Sequence, residues 1–302
     1  MEMKDISPYH HFTISQRLRS IAHAALTVCV AVLAPSACTG IEPDDAKRQE
    51  LVIEGWIADG EFPVVFVTST LPVQQQLTPM DSLERYIAQW ARVQVATEDD
   101  TVLLTGMTDR RYFPPYYFTS NRLRGRAGHQ YHLTVDWHGL HAEATTTVLP
   151  PVPVDSVWTQ PTASSDTLRD VCLRFHDNPQ TTDYYLLLSR RQQEPLNPQL
   201  CVFGAVSDRV LRETDVTLYA RRGGVLAESD YSSYYTCGDS VRVTLAHVDS
   251  AAFSFWRAYE DNRQLSTSSF STVITPLSTN ILGGRGIWQG CGFTHRWIII
   301  GE

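Results

Sequence analysis

HQYHLTVDWHGLHAEATT, residues 129 to 146, alternates in period two on either side of a His138-Gly139 pair. Glycine tolerates positive φ, so this pair suits a two-residue hairpin turn. With the turn there, residues whose numbers sum to 277 lie opposite one another. One face carries Tyr131, Leu133, Val135, Trp137, Leu140, Ala142 and Ala144, and the other His132, Thr134, Asp136, His141, Glu143 and Thr145. One apolar and one polar face is what an antiparallel sheet over a core requires.

The same period extends upstream. LVIEGW, residues 51 to 56, opens a strand, Asp59-Gly60 turns it, and Pro63 to Thr68 returns. Ala91 to Ala96 alternates, Glu98-Asp99-Asp100 marks a turn, and Val102 to Leu104 answers it. Short strands with regular turn signals predict an immunoglobulin-like β-sandwich over residues 51–149. Leu149-Pro150-Pro151-Val152-Pro153 then reads as a stiff linker, because proline cannot donate to a ladder. Residues 150–302 form a second β-rich domain in this reading, with strands at Val171 to Phe175, Asp183 to Ser189, Val241 to Leu245 and Trp297 to Ile300. Ala252, Phe253, Trp256 and Tyr259 share one stripe and predict a single helix near 250–264, capped by Asp249 or Ser250. Asn280 to Gly286 reads as a glycine-rich turn. The fold class is therefore mainly β.

Residues 1–37 look like a signal peptide. Arg17 and Arg19 precede an uncharged apolar run from Ile21 to Leu33, followed by Ala34-Pro35-Ser36-Ala37 and then Cys38. The run is shorter than the ~20 apolar residues a membrane-spanning helix needs. A cysteine directly after the cut marks a lipoprotein, with Cys38 carrying lipid as the mature N-terminus. Pro35 stands where a strong signal of this kind has Leu, and Ala37 is as required. An ordinary secretory signal, with Cys38 used elsewhere, is the alternative. Two or more acyl chains anchor a protein stably. Residues 38–50 then form an acidic tether containing Glu42, Asp44 and Asp45, which reads equally as a surface-export signal or a solvated linker.

The chain has 302 residues and a net charge of −8. Removing residues 1–37 takes away three Lys/Arg and two Asp/Glu, which moves the charge to −9. No basic face points to nucleic acid. Cys172, Cys201, Cys237 and Cys291 remain besides Cys38, and an even count in an exported chain predicts disulfides, with Cys201–Cys237 favoured. None of them forms a C-x-x-C pair, so no zinc site is expected.

The mature chain resembles the bacterial lipoprotein family catalogued as domain of unknown function 4249. The resemblance rests on LVIEGW with its following DG, on GHQYHLTV and the proline-rich junction, on DYYLLL and FSFWRAY, and above all on STNILGGRGIWQG. Cys291 and residues 197–235 fall outside those motifs. The resemblance implies an outer-membrane lipoprotein, often encoded beside a TonB-dependent transporter, and it implies no activity and no functional residues.

Two aromatic clusters are the candidate contact surfaces: Tyr112, Phe113, Tyr116 and Tyr117 around Pro114-Pro115, and Tyr231, Tyr234 and Tyr235. Such rings offer rigid area with a polar tip, or they pack on their own domain. His132, Asp136, His141 and Glu143 share the polar hairpin face, which fits a divalent metal less well than ordinary cross-strand pairing. Gly283-Gly284-Arg285-Gly286 lacks the Lys-Ser/Thr of a phosphate loop, and no cofactor is expected. No Gly-x-Ser-x-Gly elbow occurs. The chain therefore reads as a non-catalytic, surface-exposed, lipid-anchored outer-membrane protein that serves a TonB-dependent transporter. A structural or adhesive lipoprotein is the alternative, and an extracellular hydrolase the third reading.

Overall fold

Leu51–Ala58 forms β1, turns at Gly60 (φ 75°), and returns as β2, Val64–Ser69. The computed structural model describes residues 49–70, 85–163, 165–210, 214–223, 232–266 and 276–301. Gln49–Glu302 is one compact unit. The next strands are β3 (Arg92–Ala96), β4 (Thr101–Leu103), β5 (Thr105–Thr108), β6 (Tyr116–Thr119), β7 (Gln130–Trp137) and β8 (Leu140–Thr147). Residues 130–147 pair in the expected register, from Gln130 opposite Thr147 to Trp137 opposite Leu140, around His138 (φ 48°) and Gly139 (φ 82°).

The second half supplies β9 (Val154–Thr162), β10 (Ser165–His176), β11 (Tyr184–Arg191), β12 (Gln199–Ser207), β13 (Asp215–Tyr219), β14 (Tyr235–Thr236) and β15 (Ser240–Val248). Helix α1 (Ser250–Ser266) and strand β16 (Gly284–Ile299) follow. Eight strands form one sheet in the order β12-β11-β15-β16-β1-β2-β6-β5. Strand β16 is its spine. Residues 284–291 pair parallel with β1, and residues 292–299 pair antiparallel with β15.

Two small sheets cover one face of this large sheet. The β4-β3-β7-β8 sheet closes a core on Leu51, Ile53, Val65, Leu133 and Trp288. The sheet built on β9, β10, β13 and β14 closes a second core on Leu173, Phe175, Tyr185, Val243 and Leu245. Alternation along β16 puts Trp288 and Ile298 on this same face. The opposite face carries a third cluster, including Trp56, Phe66, Leu186, Leu200, Ala246 and Ala252, under α1.

The chain is mainly β, with several sheets and, among the described residues, one α-helix, as the sequence indicates. Three expectations need correction. Residues 51–149 and 150–302 do not form separate domains, because the last strand completes the first sandwich while its far half completes the second. Nor is the proline-rich segment a free linker. Thr146 Oγ1 accepts the Gly290 N–H (2.7 Å), the Pro150 carbonyl accepts from His247 Nδ1 (2.9 Å), and the Val152 carbonyl accepts the Thr294 hydroxyl (2.7 Å). A Cβ at Gly290 would lie 2.3 Å from the Thr147 carbonyl oxygen, and one at Gly292 2.4 Å from that of Pro150, so glycine there admits the crossing. Finally, Gly284 to Gly286 belong to β16 rather than to a turn, and Gly286 bends the strand at φ 109°.

The four cysteines are free thiols, not disulfides. Cys172 and Cys201 lie buried in β10 and β12, Cys291 is buried in the third cluster, and Cys237 is exposed beyond β14. Burial pushes the Cys172 thiol to about 11 and that of Cys201 to about 12, so neither carries appreciable thiolate.

Candidate functional site

The helix-bearing face of the large sheet holds the site. Helix α1 starts where Asp249 accepts the Ala252 N–H at 2.8 Å, an N-cap that satisfies an otherwise orphaned donor. Its inner side buries Ala252 and Phe255. Trp256 Nε1–H donates to Gln289 on β16 at 2.8 Å and so pins the helix to the sheet. Phe255 and Tyr259 meet the Trp256 ring edge-on, with centroids 5.3 and 5.6 Å away.

Beside this aromatic trio lies a cavity of about 470 Å³. Its walls include Glu54 from β1, Phe255, Trp256, Tyr259 and Arg263 from α1, and Phe113 at the rim, with Pro195 and residues 197–200 opposite. The volume falls within the ~300–1,000 Å³ of small-molecule sites. Asn197 holds the Phe113 backbone from both sides: its carbonyl oxygen accepts the Phe113 N–H (2.8 Å) and its amide donates to the Phe113 carbonyl (2.9 Å). The Phe113 side chain stays 52% exposed at the rim.

Two charges in this region differ in their company. Arg263 lies 3.9 Å from Glu260 and 3.5 Å from the Leu200 carbonyl. Glu260 is fully buried, and its oxygens make no full hydrogen bond. Burial raises its pKa, and the Phe203 and Ala205 amides and Arg263 offset that in part. Phe203 has φ 55°, which marks the irregular stretch of β12 that Glu260 faces. Glu54, by contrast, opens to the cavity, yet the protein crowded around its carboxyl raises its pKa. Among the described residues its carboxylate has neither an ion-pair nor a hydrogen-bond partner.

The aromatic clusters expected to contact ligands do not stand free. Tyr112 and Tyr117 stack on each other (4.7 Å) and on Phe66 (5.7 and 6.0 Å), half-buried against the third cluster. Tyr116 packs on the first core beside Phe118, and its hydroxyl donates to the Gln89 carbonyl at 2.9 Å. Tyr235 is 1% exposed in the second core. Tyr234 is half-buried beneath the Arg221 guanidinium. Of the first cluster only Phe113 reaches the cavity. Tyr231 and Cys38 lie outside the described residues. Sequence alternation alone does not single out Glu54 from other outward residues of a strand, and Tyr259, on the helix stripe, is 40% exposed.

Other polar groupings are spoken for. On the outer hairpin face, His141 Nδ1 bonds Asp136 (2.7 Å) and His132 Nδ1 bonds Thr145 (2.9 Å), with Glu143 3.6 Å from His132. These four pair with neighbours rather than converge on a point. Thr244, His295 and Glu61 line up as hydroxyl, imidazole and carboxylate, at 2.8 and 2.9 Å. Thr244 is buried, however, and an Arg242 N–H also points at the ring (3.2 Å). The Arg242 nitrogen is as close to Nε2 (3.1 Å) as to Nδ1 (3.2 Å), while Glu61 accepts from Nε2–H. The chain of bonds clasps the turn after β1 to β15 and β16. A second cavity of about 360 Å³ carries Arg122, Arg124, Arg126 and His129 opposite Glu98 and Asp99. Arg124 is already committed there, stacked 3.8 Å over Phe62 and bonded to the Gly60 carbonyl. No helix among the described residues is long and apolar enough to cross a membrane.

Residues 39–296 match the model of a family described as a domain of unknown function (DUF4249), and the chain belongs to that family. No curated protein matches it. Among solved structures it is similar to a two fibronectin type-III domain segment from chicken tenascin. The identity is 10%, over 66% of this chain and 91% of that one, with a TM-score of 0.20, too low to carry an argument.

Proposed function

We propose that this is a lipid-anchored outer-membrane protein that binds a small ligand without chemistry of its own and serves a TonB-dependent transporter. The cavity beside α1 carries the binding half of this reading: an aromatic wall and a carboxylate without a partner, held on a rigid sheet. The anchor rests on the apolar run from Ile21 to Leu33, the small residues after it, and Cys38. The absence of catalysis is part of the same proposal. The hydroxyl–imidazole–carboxylate array at Thr244 begins on a buried hydroxyl and ties the turn after β1 to β15 and β16, which supports a structural role for it.

The test is purification of the native protein from solubilised outer membranes, with mass spectrometry of its N-terminus. A TonB-dependent transporter in the same complex and an acylated Cys38 support the proposal. Free monomer with an unmodified thiol at position 38 overturns it.

A further inference from the structure

We infer that the cavity beside α1 selects an organic cation: an ammonium head on an apolar body, with the head against Glu54 and the body along Phe255, Trp256 and Tyr259. The inference deepens the binding half of the proposed function and does not depend on the anchor.

Three observations carry it. The first is the mismatch between the two charges on the cavity wall. Arg263 already has Glu260 and the Leu200 carbonyl, whereas Glu54 has no partner among the described residues. Glu54 is exposed to the cavity and has no counter-charge, so a cation that enters meets an uncompensated carboxylate. The cavity is therefore electrostatically incomplete in one sense only, and a positive charge completes it. The second is the wall itself. Trp256, Phe255 and Tyr259 meet edge to face, and aromatic walls attract ammonium groups through their quadrupoles, most strongly when water is excluded. The third is rigidity. Glu54 sits within β1, between Phe66 of β2 and Ile287 of β16, and Trp256 is fixed by Gln289. A site held by strand and pinned helix loses little freedom on binding.

The other candidates carry less. The arginine-lined cavity also holds Glu98 and Asp99, so it presents both signs of charge and favours neither kind of ion. Nothing in the structure shows what covers the exposed Trp297 and Ile299 at the end of β16.

The test is calorimetric titration of the full-length protein in detergent with phenethylamine and with its uncharged counterpart 2-phenylethanol. The amine is expected to bind at least about tenfold tighter. Glu54→Gln should erase that preference while leaving the alcohol's affinity unchanged, and Tyr259→Ala should weaken the amine severalfold. Circular dichroism melts establish that each variant is folded. If Glu54→Gln does not fold, Glu54→Asp replaces it, keeping the charge with a shorter reach, and should retain only part of the preference. Equal affinities in the native chain overturn the inference, as does an amine preference undiminished by the Glu54 variant, or no amine binding up to about 10 mM. Amine binding without a co-purifying transporter leaves the cation site standing and sinks only the accessory role.

Discussion

On one face of the eight-stranded sheet, Leu51, Ile53 and Trp288 and then Val243, Leu245 and Ile298 pack beneath two small sheets. On the other face, Trp56, Phe66 and Leu186 share their side with Glu54 and with the buried Glu260 of α1. The first face is largely apolar where the small sheets cover it, with Ser189 buried beside Cys201 and Tyr235, and other polar side chains such as His247 and Thr294 lie along the strap that crosses between them. The second tolerates one carboxylate with no partner and another with incomplete ones. The buried Glu260, whose oxygens make no full hydrogen bond, marks a place where stability has yielded to something else. The contrast is the reason the proposed binding role is placed on the helix side.

The heaviest blow to the packed face is Trp288→Ala. The side chain is fully buried, and its Nε1–H bonds the Tyr131 carbonyl at 3.1 Å. The expected loss is about 3–5 kcal/mol in urea unfolding. A loss under 1 kcal/mol would show the first core to be loosely filled. Next comes Gly292→Val, which drives a side chain into the Pro150 carbonyl and should remove about 1–3 kcal/mol. An unchanged midpoint would mean that the strap lifts off freely.

The helix side should respond in the opposite direction. The folded state raises the pKa of Glu260 above the ordinary 4.5, so it favours the protonated form. That contribution is intact below pH 4.5 and fades as pH climbs through the raised value. Glu260→Gln should therefore lift the urea midpoint at neutral pH, by less than Gly292→Val lowers it, and the gain should vanish below pH 4.5. A destabilised variant at pH 7 would identify the carboxylate as a needed partner for the Phe203 and Ala205 amides. The smallest effect belongs to Glu61, whose pKa is lowered chiefly by the hydrogen bond from His295. Its contribution is present above pH 4.5 and is lost as pH falls through the lowered value. Glu61→Gln should cost about 0.5 kcal/mol at pH 7, since the pair is partly exposed, and nothing in strong acid.

Much of the packed face is legible in period two. The 130–147 hairpin, its turn at His138-Gly139 and its inward residues follow from alternation and one glycine. The helix follows from its stripe and the Asp249 cap. The partnership between β1 and β16 does not. A parallel pairing between the two ends of the described chain leaves no local trace, and Gly290 and Gly292 show their purpose only once the strap lies over them. The cavity hid for a related reason. Glu54 alternates as any outward residue does, and only the distant arrival of α1 and Leu277 turns that outward side into a wall. The tyrosines around Pro114-Pro115 misled because composition cannot tell a ring lying on its own sheet from one offered to solvent.

Strand β16 also sets a schedule. Its first half finishes the sheet that Leu51 begins, and its second half finishes the sheet that holds Tyr185. Neither sandwich can close while residues 284–299 are still missing, so the polypeptide stays unlatched until β16 exists. Contacts so remote in sequence form slowly.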